Sequence, residues 1–193
     1  MTGHFITVNR QAFLDALSAV EPVVPKKSPK PILQNIRFAY RASEVRLTAT
    51  DQDVAILYPF PAETGSHSGE FLLPAGRLRS ILSEVRGQAV ELSTERHSVV
   101  IRVGFSEFTL PTEDAAEFPS MPDPISKDSI TIGAVALRDA IHGTIYATDS
   151  DNSRYAMHGV KIEAFADSAV LVATDSRRLS VKTVSCQTEG DVP

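Results

Sequence analysis

Apolar residues near the start of the chain follow first a strand spacing and then a helix spacing. Residues 5–8 form a short apolar strand, and Asn9 follows as a good helix N-cap. Pro22 and Pro25 end the predicted helix. Its buried stripe is formed by Phe13, Leu14, Leu17 and Val20. The pattern therefore predicts a strand followed by a helix that packs on a core.

Later apolar runs predict more strands and a second helix. The predicted strands are 34–40, 45–50, 71–73, 90–92, 99–103 and 105–110. Pro74 suits the first turn of a helix, and Gly87 is expected to close it. The buried positions of this helix are Leu78, Ile81, Leu82 and Val85. Short loops favour antiparallel neighbours, so the pattern predicts an α+β unit with two helices over a mostly antiparallel sheet.

The chain repeats itself at a constant spacing of 124 residues. Residues 6–17 and 130–141 share Ile, Thr, Ala, Asp and Ala at equivalent positions. Residues 47–51 read LTATD, and residues 171–175 read LVATD at the same spacing. Two separate blocks in one ungapped register indicate an internal structural repeat.

The repeat sets the predicted domain boundaries. We assign residues 1–124 to a complete first domain, 125–128 to a linker and 129–193 to the N-terminal half of a second domain. Three prolines between residues 119 and 124 favour an extended connection. The second copy is expected to be incomplete, because residue 193 corresponds to residue 69 of the first copy. Its predicted elements are an opening strand, a helix at 135–144 and strands at 158–165 and 169–174.

Composition restricts the function classes. The 193 residues are 42% hydrophobic and 22% charged, which is ordinary for a globular protein. The formal net charge of −5 means that any nucleic-acid contact depends on a local patch or on shape. The single cysteine, Cys186, fits a reducing compartment. No signal peptide and no apolar run near the roughly 20 residues of a membrane span are visible, so we expect a cytoplasmic protein without a membrane partner.

Catalytic and metal-binding patterns are not found in the sequence. There is no glycine-rich nucleotide fingerprint and no P-loop. The five histidines are scattered, and the acidic stretch 149–153 lacks the glycine and the glutamate of a calcium loop. No nucleophile-and-base pair is apparent. We therefore predict a binding scaffold with no enzyme activity, no cofactor and no metal.

Three polar features remain as candidate binding sites. Lys26, Lys27 and Lys30 surround a proline bend, and they indicate either phosphate contact or a solvated loop. Arg154, next to Tyr155, lies 124 residues after Lys30, so both copies place a basic group at one position. The stretch 174–179 has two arginines beside a leucine. It indicates either a pocket for a peptide with an acidic group or a capped strand end.

Several motifs in order resemble the bacterial β sliding clamp family, the processivity subunits of replicative DNA polymerase. They are Lys30-Pro31-Ile32-Leu33-Gln34-Asn35, Leu47-Thr48-Ala49-Thr50-Asp51, Ala116-Glu117-Phe118-Pro119, Ser153-Arg154-Tyr155 with Gly159, and Val172-Ala173-Thr174-Asp175 followed by Arg178-Leu179. The resemblance implies three similar domains per chain and two chains closed head-to-tail around duplex DNA. A ring holds DNA topologically, which fits an acidic protein with few DNA-facing cations.

The resemblance also implies roles for individual residues. DNA contact is expected at Lys27 and Arg154, with Tyr155 beside them and Lys26 and Lys30 in the same basic loop. The expected pocket for polymerase and clamp-loader peptides consists of Met157, Thr174, Asp175, Ser176, Arg177, Arg178 and Leu179. The expected ring interface consists of Arg77, Ile81, Phe108 and Leu110. For Phe108 and Leu110, core packing is the alternative.

Two departures from the family pattern modify these expectations. Ser176 and Arg177 stand where the family commonly has Gly-His, which removes the easy access of glycine to positive φ. The chain lacks the rest of the second domain and the whole third domain, so we expect that it does not close the ring alone. The leading hypothesis is a truncated or fragmentary sliding clamp. The alternative is a stand-alone clamp-like adaptor or decoy that binds clamp partners without encircling DNA.

Overall fold

The computed structural model describes residues 5–121, 129–149 and 157–190. The chain divides into two compact units, Met1–Met121 and Pro122–Pro193. In the described part of the first unit, a β-α-β-β-β order occurs twice. Its elements are β1 Phe5–Asn9, α1 Arg10–Val20, β2 Asn35–Arg41, β3 Glu44–Thr50, β4 Ala55–Glu63, β5 Ser68–Pro74, α2 Ala75–Glu84, β6 Ala89–Thr94, β7 Ser98–Val103 and β8 Ser106–Pro111.

Helix α1 begins as its sequence predicts and buries three of the four predicted stripe residues, whereas Leu14 is only partly buried. The side-chain oxygen of Asn9 accepts hydrogen bonds from the backbone N–H groups of Gln11 and Ala12, at 2.9 and 3.1 Å. The fully buried positions of α1 are Phe13, Ala16, Leu17 and Val20. The ring of Phe13 lies 5.6 Å from those of both Phe38 and Phe60, so strands β2 and β4 hold α1 against the core.

All strand pairs of the first unit are antiparallel, and they form one sheet in the order β5-β2-β3-β4-β1-β6-β7-β8. This confirms the predicted α+β class with two helices on a mostly antiparallel sheet. The two edge strands meet through Thr112. Its Oγ1 accepts from the backbone N–H of Leu72 at 3.1 Å and donates to the Leu72 carbonyl oxygen at 2.8 Å. One side chain thus replaces a strand pairing between β5 and the end of β8.

Strand β4 was not predicted, because Pro59 and Pro61 interrupt its sequence. The backbone N–H of Ala62 donates toward β3, at 3.0 Å from the Ser43 carbonyl oxygen. Successive backbone nitrogens of a strand alternate in direction, so the two proline nitrogens point away from β3. On that side, β1 pairs only with Ala62 and Glu63. The prolines therefore remove no ladder hydrogen bond, and β4 forms despite them.

Three local predictions in the first unit were wrong. Helix α2 ends at Glu84, so Gly87 does not close it. A Cβ at Gly87 would lie 2.7 Å from Val103 Cγ1, which shows that the glycine serves close packing. Pro74 is the N-cap of α2 and lies outside its first turn. Phe105 is fully exposed in the turn before β8, so the strand is shifted by one residue from the predicted 105–110 to Ser106–Pro111.

The second unit contains, in its described residues, one β-α-β-β-β set. Its elements are β9 Ser129–Ile132, α3 Ala134–His142, β10 Lys161–Ala164, β11 Ser168–Thr174 and β12 Leu179–Glu189. The predicted opening strand, helix and two following strands are all present, but β10 has four residues, half the length of the predicted strand 158–165. Strand β12 was not predicted. It is the equivalent of β4, which the prolines concealed in the first unit.

The two units share strand order and register. The second sheet has the order β10-β11-β12-β9, which matches β2-β3-β4-β1 of the first. Residue pairs across these strands are equivalent at the same spacing of 124 residues. Examples are Arg37–Thr48 and Lys161–Val172, Thr50–Ala55 and Thr174–Leu179, and Val8–Ala62 and Ile132–Cys186. The repeat inferred from the sequence is therefore a repeat of structure.

Candidate functional site

The turn between β11 and β12, residues 174–178, is built by two short polar side chains. Asp175 Oδ1 accepts from the backbone N–H groups of Arg177 and Arg178, at 3.0 and 2.9 Å. Thr174 Oγ1 accepts from the N–H of Ser176 at 3.2 Å and donates to the Arg178 carbonyl oxygen at 2.7 Å. Asp and Thr stabilise such turns because their side chains reach nearby backbone groups. We call residues 174–178 the second Thr–Asp turn, because residues 50–54 form the equivalent first turn in the other copy.

Ser176 lies in the left-handed region, with φ of 71°. This is the position where the resemblance described above implies that glycine is common in the family. A Cβ is sterically unfavourable there, so the hydrogen bonds of the turn hold the serine in a strained conformation.

The carboxylate of Asp175 is a fixed negative charge in this turn. The backbone hydrogen bond from Arg177 lowers its pKa below the ordinary value, and the bonds and charge of Arg178 act in the same direction. Partial loss of solvent opposes this shift without reversing it. The group is therefore ionised at neutral pH, directly beside the guanidinium of Arg178.

Arg178 is held by two different contacts. Its Nε lies 2.8 Å from Asp175 Oδ2, and its guanidinium carbon lies 5.8 Å from the centre of the Tyr146 ring. Tyr146 belongs to the short 3₁₀ helix Ile145–Ala147. Sequence reasoning missed Tyr146, because nothing in its local pattern distinguishes it from a surface tyrosine.

Exposed or half-buried apolar side chains occur near Arg178 in the sequence or next to the same turn. Leu179, Tyr146 and Val181 are exposed by 64%, 58% and 50%. Met157 is half-buried, and its Sδ lies 3.5 Å from the Ser176 hydroxyl. Exposed apolar area beside a fixed charge is typical of a surface that binds a peptide. The structure thus brings the seven residues of the predicted pocket to one surface, formed by the second Thr–Asp turn, Met157 and the start of β12.

The predicted basic loop is exposed. Lys26, Lys27 and Lys30 lie between two 3₁₀ helices, Glu21–Val23 and Pro31–Gln34. No ion pair involves these lysines within the described residues. Their charges are therefore available to an external anion. Arg154 and Tyr155, the other predicted DNA contacts, lie outside the described residues.

A cavity of about 640 Å³ extends this cationic region toward α2. Lys26 and Arg77 both line it, together with Arg79. Arg79 already contacts Glu21 at 3.4 Å and the Ser18 hydroxyl at 2.7 Å. Lys26 and Arg77 therefore supply the uncompensated positive charge of this cavity.

The predicted ring-interface residues lie in different environments. Arg77 is exposed, whereas Ile81 and Phe108 are partly buried against the core of the first unit. Leu110 is only 4% exposed and belongs to that core. For Leu110 the structure favours the alternative of core packing, and Phe108 also packs partly against the core, so Arg77 is the exposed member of the set.

Within the described ranges, neither a cluster of metal ligands nor a membrane-spanning helix is present. No group of three or more potential metal ligands lies together within residues 5–121, 129–149 and 157–190. Over the same ranges, none of the helices has the length and apolar character needed to cross a membrane.

Comparison with known families decides the relationship of the chain. The family model of the DNA polymerase III beta subunit N-terminal domain matches residues 4–122, and that of the central domain matches residues 131–192. The chain belongs to the DNA polymerase III beta subunit family. The resemblance seen in the sequence motifs is thereby confirmed.

Curated relatives of this family are named beta sliding clamp. The Pseudomonas aeruginosa protein is 28% identical over 185 residues, which cover 95% of this chain and 50% of the relative. The Synechococcus elongatus protein is 31% identical over 169 residues, which cover 86% of this chain and 45% of the relative. The chain thus spans about half the length of the curated relatives that it matches.

Solved sliding clamps have the same fold. The Pseudomonas aeruginosa clamp bound to griselimycin matches with a TM-score of 0.87 and 26% identity, covering 100% of this chain and 51% of that clamp. The Caulobacter crescentus clamp matches with a TM-score of 0.86 and 28% identity, covering 96% and 51%. The clamp fold is therefore shared along nearly the whole chain.

Proposed function

We propose that this protein is a DNA sliding clamp, an accessory subunit that encircles duplex DNA and tethers a replicative polymerase. The observation that carries the proposal is the structural match to the Pseudomonas aeruginosa clamp over the whole chain. The role requires binding surfaces and no catalytic residues. It would place the protein in the cytoplasm, where the chromosome of a bacterium is replicated.

DNA contact in this proposal is weak and independent of sequence. Lys26, Lys27 and Lys30 would meet phosphates as point charges, together with Arg154 and Tyr155. Few cations suit a sliding ring, because each neutralised phosphate adds salt-sensitive affinity that hinders movement. The net charge of −5 supports topological holding over tight binding.

Polymerase and clamp-loader peptides would bind at the second Thr–Asp turn. The turn presents Arg178 next to exposed Leu179, with Met157 and Thr174 beside them. The apolar side chains would bury those of the peptide, and the guanidinium would bind a polar or acidic group.

Ring closure would use the first-unit surface that includes Arg77, Ile81 and Phe108. A head-to-tail contact is heterologous, so it also needs an opposite face. The proposed assembly is a head-to-tail dimer of full-length family members.

Retention on DNA tests the clamp role. A labelled full-length family chain that carries this sequence would be incubated with a nicked circular plasmid and a clamp-loader complex, and the plasmid would then be cut once. We expect label to stay with the circle and to leave after linearisation, because a ring slides off a free end. Lys27→Glu should reduce the retained fraction, whereas Arg96→Glu, the same charge change at an exposed turn, should leave it unchanged.

The adaptor or decoy alternative gives a different result. A chain that binds clamp-loader or polymerase peptides but is retained equally poorly on circular and linear DNA would overturn the encircling role. Salt-sensitive retention that does not depend on plasmid topology would also contradict it.

A further inference from the structure

We propose that Tyr146 is a positioning residue that orients Arg178 to bind an acidic side chain of a linear peptide. This inference rests on the proposed peptide pocket and assigns the chemistry of its ligand. Tyr146 lies in the short 3₁₀ helix before the second Thr–Asp turn, 32 residues from Arg178 in the sequence.

Two contacts restrain the Arg178 guanidinium. Asp175 holds Nε at 2.8 Å, and the Tyr146 ring lies under the guanidinium at 5.8 Å. The Arg178 side chain is still 56% exposed. Among the described residues, its two terminal Nη nitrogens have no acceptor, so the end of the fork is available to a ligand.

A carboxylate is the group that best fits this end of the fork. Its two oxygens can accept from both Nη nitrogens at once, which gives a charge-assisted bidentate pair. A guanidinium that is already restrained loses less freedom when the ligand binds. Asp175 compensates one positive charge, and exposed Arg177 keeps the turn attractive to an anion.

The first unit shows that this pair is not needed to build the turn. The position equivalent to Arg178 is Val54, and the position equivalent to Tyr146 is Pro22. The first unit nevertheless forms the same turn with the same hydrogen bonds. The pair of Tyr146 and Arg178 is therefore an addition to the turn, which is expected of residues that serve binding.

The neighbouring side chains define the rest of the ligand. Leu179 and Val181 follow Arg178 on β12 and are both at least half exposed. They would contact apolar residues of the peptide next to its acidic residue. The ligand class is thus a short extended peptide with an aspartate or glutamate beside one or more apolar residues.

A random hexapeptide display library, selected on the full 193-residue chain, identifies the ligand without bias. We expect enrichment of an acidic residue next to apolar ones. The best peptide and its amide counterpart, with Asp→Asn or Glu→Gln, would then be titrated calorimetrically. Tyr146→Leu should weaken the acidic peptide about fivefold, as expected for loss of one cation–π contact, and leave the amide peptide within about twofold. Tyr146→Phe keeps the aromatic ring and should retain the preference for the acidic peptide. Ile145→Ala, on the same short helix, should change the affinity for neither peptide.

Each possible result decides the inference. Equal weakening of both peptides by Tyr146→Leu would show a general apolar contact and overturn the positioning role. Enriched peptides without an acidic preference would overturn the ligand class while leaving the peptide pocket of the proposed function intact. If no peptide is enriched on the wild-type chain, the pocket itself is wrong, and the inference is overturned with it.

Discussion

The two Thr–Asp turns, residues 50–54 and 174–178, have one construction and two different surfaces. In each turn the Asp carboxylate accepts from the N–H groups two and three residues later, and the Thr hydroxyl spans the turn. Each also holds a residue at positive φ, with values of 87° and 71°. The bonds of the first turn are Asp53 N to Asp51 Oδ1 at 3.0 Å, Val54 N to Asp51 Oδ1 at 2.8 Å, Gln52 N to Thr50 Oγ1 at 3.0 Å and Thr50 Oγ1 to the Val54 carbonyl oxygen at 2.8 Å.

The difference between the turns lies in three tip residues. The first turn presents Gln52, Asp53 and Val54, whereas the second presents Ser176, Arg177 and Arg178. The Thr and Asp side chains form the turn by bonding the backbone, so the tip side chains are not needed for its shape. The tip of the first turn therefore carries one acidic side chain, Asp53, whereas the tip of the second carries two cationic ones, Arg177 and Arg178. Of these two turns, only the second carries arginine side chains that could pair with an acidic peptide, as the proposed function requires.

The largest expected effect is a loss of peptide affinity on substitution in the second turn that does not occur on substitution in the first. Arg178→Ala should lower the affinity for the selected acidic peptide at least about tenfold, because the charge-assisted bidentate pair is lost. Val54→Ala, at the equivalent position of the first unit, should leave the affinity unchanged. Calorimetric titration of both variants measures this. Similar losses in the two variants would contradict a pocket confined to the second turn.

The next effect compares the Thr side chains that hold each turn. Thr50 is 4% exposed and Thr174 is half-buried. When the hydroxyl is removed, the backbone groups that it bonded are therefore less accessible to water in the first unit than in the second. We expect Thr50→Val to lower the free energy of unfolding by about 1.5 kcal/mol and Thr174→Val by about 0.7 kcal/mol. Urea unfolding with hydrogen exchange in each unit measures the two changes. Thr→Ser variants keep the hydroxyl and serve as controls, and a larger loss at Thr174 would contradict this argument.

The smallest effect concerns the two residues at positive φ. Gln52→Gly and Ser176→Gly should each raise the free energy of unfolding of their unit by about 0.5 kcal/mol. Glycine adopts positive φ without strain, and this gain is only partly offset by the larger chain entropy that glycine loses on folding. Thermal unfolding measures the change. Gly replacements at Asp53 and Arg177, which lack positive φ, are the matched controls and should be neutral or destabilising. Destabilisation by Ser176→Gly would show that the serine makes a further contact.

Strong local patterns were sufficient for most elements. Helix α1 is specified by Asn9 and by its apolar stripe. Strands β2 and β3 are specified by the alternation of apolar and polar residues. Strand β4 was missed because Pro59 and Pro61 oppose a strand locally, and only the absence of a partner on their side makes them tolerable. Strand β12 could have been predicted from β4 through the repeat, but β4 itself had not been recognised.

The candidate site was predictable only in part. Arg178 and Leu179 stood out because paired arginines beside an apolar residue follow a recognisable Thr-Asp motif. Tyr146 could not be found in this way, since its contact with Arg178 depends on how the 3₁₀ helix packs next to β11. For Leu110 the resemblance implied the ring interface, with core packing as the alternative, and its burial became visible only in the core of the first unit.

The sequence by itself determined the repeat, the family and the local elements, because these depend on residue spacing and on short-range backbone preferences. Only the tertiary structure decided which strands tolerate proline, which apolar side chains are buried and which ring lies beneath a guanidinium. Those features depend on neighbours distant in the chain. Their positions follow from the packing of the sheets and are not encoded in any one segment.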